Sequence, residues 1–247
     1  MFLLSLFFAN ECSVDAQEKI ATDRPDQTEL ATLTPLHYFQ GEFGFTHESF
    51  GKDHNNIYPN FLLKYGLTKS FELRLQDQFA THYEKMPGGS ETSTGFEPLE
   101  IGFRVAFFEQ KKIIPKTALI THFAIPTFAS KKLRADHLAP KVILAMENDI
   151  TKAISISYNT GAEWDGFSID PSWIYSLSCG FELGEKWESF IEVFGNAVNH
   201  DSPENSVDGG FAYYISNEVK ADISAGFGIS KMAADYFAGV GFSFRIK

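Results

Sequence analysis

The most regular pattern in the sequence is a strict alternation of apolar and polar positions near the C-terminus. From Tyr236 to Ile246 every second residue is apolar, and the residues between them are glycine, serine or arginine, apart from Phe237. The stretch from Val219 to Phe227 alternates in the same way. A period of two predicts β-strands that have one apolar and one polar face. Strands of about ten residues with this pattern are typical of transmembrane β-barrels.

The same alternation recurs along most of the chain and predicts twelve strands. They span residues 37–46, 57–66, 70–79, 99–107, 116–125, 138–149, 153–163, 173–183, 187–195, 207–215, 219–227 and 236–246. The connections alternate between long and short: a long flexible loop is predicted at 84–97, for example, and a tight turn at 150–152. Outer-membrane barrels have this asymmetry, with short periplasmic turns and longer extracellular loops. A soluble β-sandwich has no reason to segregate its loop lengths in this way. The predicted fold is therefore all-β, a single antiparallel up-and-down transmembrane β-barrel of about twelve strands.

The N-terminal region has a different composition. Residues 1–16 resemble a secretory signal, with an apolar run and the small-residue pattern Val14-Asp15-Ala16 that suits cleavage, although a basic n-region is missing. Residues 17–36 are polar and punctuated by prolines such as Pro25, which predicts an extended periplasmic lead-in. Residues 37–247 form the predicted barrel.

Composition narrows the possible partners. The 25 phenylalanines suit a lipid-facing band with aromatic girdles, and the net charge of −11 argues against nucleic acid. After the N-terminus no apolar stretch reaches eighteen residues, which excludes a helical membrane span. The expected partners are outer-membrane lipid, the barrel-assembly machinery and an unidentified small solute, and the expected location is the bacterial outer membrane.

Charges of both signs fall on the polar faces of the predicted strands. Inside a barrel they are predicted to line the lumen, where cross-strand ion pairs either plug it or border a narrow polar path. On a soluble sandwich they would form solvated outer faces. The predicted lumen-lining residues are Glu42, Lys64, Glu72, Arg74, Glu100, Arg104, Lys141, Glu182, Glu188, Glu192, Asp208, Lys220, Asp222 and Arg245.

Catalytic patterns are missing from the sequence. His82 and His122 each follow a threonine but have no serine at a recognisable spacing, and no Gly-x-Ser-x-Gly elbow occurs. The histidines show no metal-ligand spacing, and no glycine loop fits a phosphate. The sequence therefore predicts no catalytic residues, no metal and no cofactor.

Four short motifs, in this order, resemble a known family. They are Thr22-Asp23-Arg24-Pro25-Asp26, then Tyr65-Gly66-Leu67-Thr68 followed by Phe71-Glu72-Leu73-Arg74, then Leu99-Glu100-Ile101-Gly102-Phe103, and finally Asp235-Tyr236-Phe237 through Gly241-Phe242-Ser243-Phe244-Arg245. The chain resembles the bacterial outer-membrane "transporter" family described as putative meta-pathway of phenol degradation. The resemblance implies an outer-membrane β-barrel and a role in the uptake of small molecules, aromatic ones among them.

Three functions remain open at this point. The first is a passive channel or uptake protein for small solutes. The second is a barrel with a plugged lumen that has a binding or structural role. The third is a lipid-modifying enzyme of the outer membrane.

Overall fold

The structure, a computed structural model, describes residues 19–198 and 202–247, so the predicted signal sequence lies outside the described residues. Thirteen β-strands lie within these ranges, and none of the described residues forms a helix that could cross a membrane. The strands are β1 (Phe39–Phe50), β2 (Asp53–Thr68), β3 (Phe71–Met86), β4 (Gly89–Phe96), β5 (Leu99–Phe108), β6 (Lys116–Ile125), β7 (Ala139–Asp149), β8 (Ile154–Glu163), β9 (Ser172–Glu182), β10 (Trp187–Val198), β11 (Glu204–Ser216), β12 (Val219–Gly228) and β13 (Tyr236–Ile246).

Twelve of the strands form a closed antiparallel barrel. Consecutive strands pair around the ring, except that β3 pairs with β5 because β4 lies outside the ring, and the last strand returns to the first, with Phe39 opposite Ile246 and Ser49 opposite Tyr236. Closure leaves no open edge among these twelve strands, which is the condition for a sheet to exist in lipid. The predicted up-and-down barrel is confirmed.

The thirteenth strand, β4, lies where the sequence predicted a flexible loop at 84–97, and that part of the prediction is wrong. The first half of β3 pairs with β5, from Phe71 opposite Val105 onward. Its second half pairs with β4, which continues the hairpin to Met86 opposite Gly89. Strand β4 is rich in serine and threonine and has no apolar face. The search for apolar alternation missed it because it belongs to a polar extension of the barrel at the end that carries the long connections.

The polarity of the two faces of the barrel wall is the reverse of that in a soluble protein. Outward side chains are large and apolar, and Leu73 and Phe242 are each 44% exposed. Inward side chains are charged yet buried, as in Glu72, which is 0% exposed, and Arg74, which is 2% exposed. The apolar outer surface is suited to lipid, and the charged groups are enclosed within the barrel.

Residues 19–38, named here the internal segment, lie inside the barrel. The backbone nitrogen of Ile20 donates to the carbonyl of Asn217 in the short turn between β11 and β12. The segment then bends within the lumen and returns, so that Leu36 forms an isolated bridge with Gly66 just before the short turn between β2 and β3. The predicted extended lead-in thus enters and leaves at the end with the short connections, and its described part fills the lumen rather than preceding the barrel.

An apolar contact holds the returning arm of the internal segment. Ala31 is 1% exposed and packs on Ala118, Ile120, Ile143 and Ala145, which point inward from β6 and β7. This part of the inner wall is therefore apolar, unlike the charged wall opposite it. Packing inside the lumen explains why β6 and β7 have apolar residues on both faces.

We expect a charge on the outer face to destabilise the barrel according to its depth. Replacing Leu73 by arginine should lower the free energy of unfolding by about 2–4 kcal/mol if the site is near the bilayer midplane. The matched variant Leu67→Arg, beside the short turn after β2, should cost no more than about 1 kcal/mol because it lies near the interface. Urea unfolding in phospholipid vesicles measures both. Equal losses would contradict the assignment of Leu73 to the lipid-facing band.

Candidate functional site

Asp23 of the internal segment lies at the centre of a buried ionic cluster. Its carboxylate accepts hydrogen bonds from Arg104 Nη2 at 2.6 Å, Lys64 Nζ at 2.8 Å and Arg74 Nη1 at 3.1 Å. It also accepts from the backbone nitrogen of Leu30 at 3.0 Å, which ties the two arms of the segment together. Burial alone would raise the pKa of Asp23, but the three positive charges hold that pKa well below its ordinary value. The carboxylate is therefore ionised at neutral pH.

Each cation of this cluster contacts carboxylates from both the internal segment and the wall. Arg74 binds Glu29 of the segment at 2.7 Å and Glu72 of its own strand at 3.2 Å. Arg104 also binds Glu29, at 3.0 Å, and Lys64 pairs with Glu42. These charges bridge the segment to β1, β2, β3 and β5, so the segment is bound as part of the barrel rather than loosely enclosed.

Arg24 occupies a slot formed by two glycines. Gly44 of β1 and Gly241 of β13 are direct partners across the closing pair of strands, and a Cβ added to either would overlap the Arg24 guanidinium. The guanidinium donates to Asp222 at 3.1 Å and to Asn60 at 3.3 Å. Only glycine at both positions leaves room for this side chain.

A second group of carboxylates lies on the opposite side of the segment. Glu192 and Asp208 are direct cross-strand partners on β10 and β11, and both are buried. Glu192 accepts from the backbone nitrogen of Gln27 at 2.7 Å, and nearby Asp26 accepts from Ser178 Oγ at 3.0 Å. Burial and the negative charge of Glu192 raise the pKa of Asp26 well above its ordinary value. On this side of the segment the acids accept hydrogen bonds from neutral groups, the Gln27 backbone nitrogen and the Ser178 hydroxyl. These hydrogen bonds offset the repulsion between the acids.

The bend of the internal segment divides the lumen into two cavities. The outer cavity, at the end with the long connections, has a volume of about 470 Å³, and the inner cavity, at the other end, about 430 Å³. Arg24, Pro25 and Asp26 line both of them. These three residues therefore form the partition of the lumen.

The predicted lumen residues fall into three groups by burial. Ten are buried: Glu42, Lys64, Glu72, Arg74, Arg104, Glu192, Asp208, Lys220, Asp222 and Arg245. Glu100, Lys141 and Glu188 are partly buried, and Glu182 is exposed.

The structure brings only some of these residues together. Glu42, Lys64, Glu72, Arg74 and Arg104 join the cluster around Asp23. Six of the others form separate local pairs: Lys141 with Glu163, Lys220 with Glu188, Arg245 with Glu218, Glu182 with Lys19, and Glu100 with His122. Asp222 pairs with Arg24, and Glu192 and Asp208 lie opposite each other.

Sequence reasoning missed the residues that the internal segment contributes. Asp23, Arg24, Asp26 and Glu29 were assigned to a lead-in outside the barrel, although four of the five residues of the motif Thr22-Asp23-Arg24-Pro25-Asp26 are polar or charged. That motif was the available signal, because a spacer does not need three charged residues within four positions. His122 was also missed as a structural group: it joins Arg74 at 3.0 Å to Glu100 at 2.9 Å.

The family model described as "Putative MetA-pathway of phenol degradation" matches residues 22–246. The chain belongs to this family. The match begins at Thr22 and so includes most of the internal segment together with the whole barrel. The resemblance inferred from the sequence is confirmed.

Several solved structures share the fold. An outer membrane channel from Pseudomonas putida F1 superposes with a TM-score of 0.66 at 10% identity, covering 92% of this chain and 100% of that one. The NanC porin gives 0.55 at 9% identity, covering 84% and 100%, and the KdgM porin gives 0.55 at 9%, covering 83% and 99%. No curated protein sequence matches the chain. At these identities the likeness concerns the fold, and the closed barrel with an apolar exterior is an outer-membrane protein.

We predict that Asp23→Asn releases the internal segment. Breaking a buried ion pair by removing one partner costs about 3–5 kcal/mol, because it leaves buried charge uncompensated. Amide hydrogen exchange of residues 20–34 should therefore speed up on the order of a hundredfold or more, at about 1.4 kcal/mol per tenfold.

Asp26→Asn is the matched control, since it is the same substitution three residues away. It removes a buried acid that lies near Glu192 and forms no ion pair among the described residues, so exchange should stay the same or slow down. Equal acceleration in the two variants would show that Asp23 has no special part in holding the segment.

Proposed function

We propose that this protein is a passive outer-membrane channel for small solutes, with the internal segment closing its path. The observation that carries the proposal is the pair of cavities, which lie at opposite ends of one lumen and share Arg24, Pro25 and Asp26 as lining residues. A path between the two ends requires no more than displacement of the bend around Arg24, Pro25 and Asp26. The predicted lumen residues would then border that path.

The charge of the outer cavity supports a preference for cations. Several of the acids that line it are paired: Asp23, Glu29 and Glu42 with cations of the buried cluster, and Glu163 with Lys141. Glu48 and Glu204 also line it and form no ion pair among the described residues, so the lining keeps an excess of negative charge. Carboxylates that line a pore favour cations, and a low-dielectric wall strengthens their field. We infer that small cations and neutral solutes pass more readily than anions.

Two observations concern the identity of the solute. The family description names phenol degradation, and the outer cavity contains aromatic side chains such as Phe194 and Phe237. Both favour small aromatic molecules among the solutes.

A permanently plugged barrel is the second candidate, and the buried ionic cluster favours it. Breaking such a cluster is costly, so the segment could be a fixed structural element. The lipid-modifying alternative has no comparable support. His82 uses both ring nitrogens, at 2.9 Å from Asn55 and 2.9 Å from Glu97, and His122 likewise contacts Arg74 and Glu100. Neither histidine has a ring nitrogen left to activate a nucleophile.

We expect the purified protein to conduct ions in planar bilayers and to prefer cations in a potassium chloride gradient. Glu48→Gln should reduce the cation preference because it removes a carboxylate from the outer cavity. Glu185→Gln, in the exposed short turn between β9 and β10, is the control and should leave the reversal potential unchanged. Anion preference in the unaltered protein would refute the charge argument.

A disulfide lock separates the open channel from the fixed plug. Thr28 Oγ1 of the internal segment lies 2.8 Å from Ser176 Oγ on β9, so cysteines at these two positions should be able to form a disulfide. With Cys12 and Cys179 replaced by serine, oxidation of Thr28→Cys/Ser176→Cys should abolish conductance, and reduction should restore it.

The single variant Thr28→Cys controls for the substitution itself and should not respond to oxidant. Equal conductance in the oxidised and reduced double variant would mean that solutes pass beside a stationary segment. Absence of conductance in every form, including the unaltered protein, would favour the plugged barrel.

A further inference from the structure

The outer cavity has one aromatic wall. Phe194 of β10 and Phe237 of β13 point inward and meet edge to face, with ring centroids 5.8 Å apart and ring planes at 67°. Both line the cavity together with Ile174 of β9 and Phe50 at the end of β1. These two inward rings reach across two intervening strands and distinguish this wall from the charged wall around Asp23.

The position of this aromatic pair is fixed by the barrel rather than by a solute. Phe237 is only 9% exposed, and its ring lies over Gly226 of β12, where an added Cβ would overlap it. Phe194, by contrast, is partly exposed toward the cavity. The pair therefore offers a preformed aromatic surface, with Phe237 as its base and Phe194 as its accessible ring.

The rest of the cavity is acidic. Glu48 accepts a hydrogen bond from Asn55 Nδ2 at 3.2 Å, and Asp26 on the floor accepts from Ser178. Both donors are neutral, and among the described residues neither carboxylate forms an ion pair. The two cations of the lining are already engaged, Arg24 with Asp222 and Lys141 with Glu163 at 3.2 Å. Glu48, the direct cross-strand partner of Phe237, is therefore left without a counter-charge among the described residues, beside the aromatic pair.

These two features select for the same kind of charge. The face of an aromatic ring attracts an ammonium group, and carboxylates attract it more strongly. A carboxylate-bearing solute would meet repulsion from Glu48, which forms no ion pair among the described residues. A neutral aromatic would gain the ring contact alone.

The size of the cavity limits the solute. A volume of about 470 Å³ lies at the lower end of the range of about 300–1,000 Å³ found for small-molecule sites. It accommodates one ring with a short chain, together with some water.

We propose that the outer cavity is a binding site for small aromatic amines in their protonated form, with the ring on Phe194 and Phe237 and the ammonium group toward Glu48. The site rests on the proposed channel function for its role as an entry point, but not for binding itself. Its occupants would be captured there before passing the partition at Arg24, Pro25 and Asp26.

Four matched probes test the proposal by titration calorimetry on the full-length protein in detergent. They are phenethylammonium, the neutral 2-phenylethanol, the anionic 3-phenylpropionate, and 2-cyclohexylethylammonium, which has the charge and a ring without aromaticity. Phenethylammonium should bind at least fivefold more tightly than each of the other three. Equal affinity for 2-phenylethanol would overturn the role of charge, and equal affinity for 2-cyclohexylethylammonium would overturn the role of the aromatic pair.

Two substitutions locate the site. Phe194→Leu and Glu48→Gln should each weaken phenethylammonium binding at least threefold. Their controls are Phe190→Leu, which lies on the same strand but lines the inner cavity, and Glu185→Gln in the exposed turn. Loss of affinity in the controls as large as in the test variants, or no loss in any variant, would refute the assigned position.

The binding assay and the bilayer assay can fail independently. Binding of phenethylammonium by a protein that conducts no ions would refute the channel and support the site. Cation conductance without preferential phenethylammonium binding would support the channel and refute the site.

Discussion

The structure depends on the pairing of buried charge around Asp23. Lys64, Arg74 and Arg104 point into the barrel and are almost completely buried, and such cations are tolerated in a membrane protein only when they are neutralised by neighbours. The wall supplies Glu42 and Glu72, and the internal segment supplies the remaining carboxylates. The carboxylates of the internal segment therefore neutralise the buried cations of the barrel wall, and each part needs the other for its buried charges to be paired.

The sequence revealed what lipid imposes on the chain. Contact with hydrocarbon demands an apolar residue at every second position, as in Leu73 and Phe242, and this demand made the twelve barrel strands predictable. Strand β4 lies in the polar extension of the barrel, where contact with hydrocarbon does not require alternating apolar residues. Its serines and threonines therefore resembled the composition of a loop. The inward apolar residues Ile120 and Ile143 disturbed the alternation for another reason, since they serve a contact with Ala31 that is distant in sequence.

The candidate site was only half predictable. Alternation assigned Arg74, Arg104 and Glu192 to one face of the strands, because side-chain direction in a strand is a local property, and all three are buried. The position of the internal segment is not local. Its polar, proline-containing sequence is compatible with a solvated linker, and only contacts with strands up to about two hundred residues away, such as that of Arg24 with Asp222, determine that it folds inward.

The slot for Arg24 has a consequence for how the barrel assembles. Gly44 and Gly241 belong to the first and last strands, so the slot comes into existence only when the ring closes. A slip of one residue at this seam would turn Phe43 or Phe45 toward the guanidinium in place of a glycine. Arg24 therefore fits only one register of the first and last strands, the one that places Gly44 opposite Gly241. Through this residue the N-terminal region selects the correct closure of the barrel.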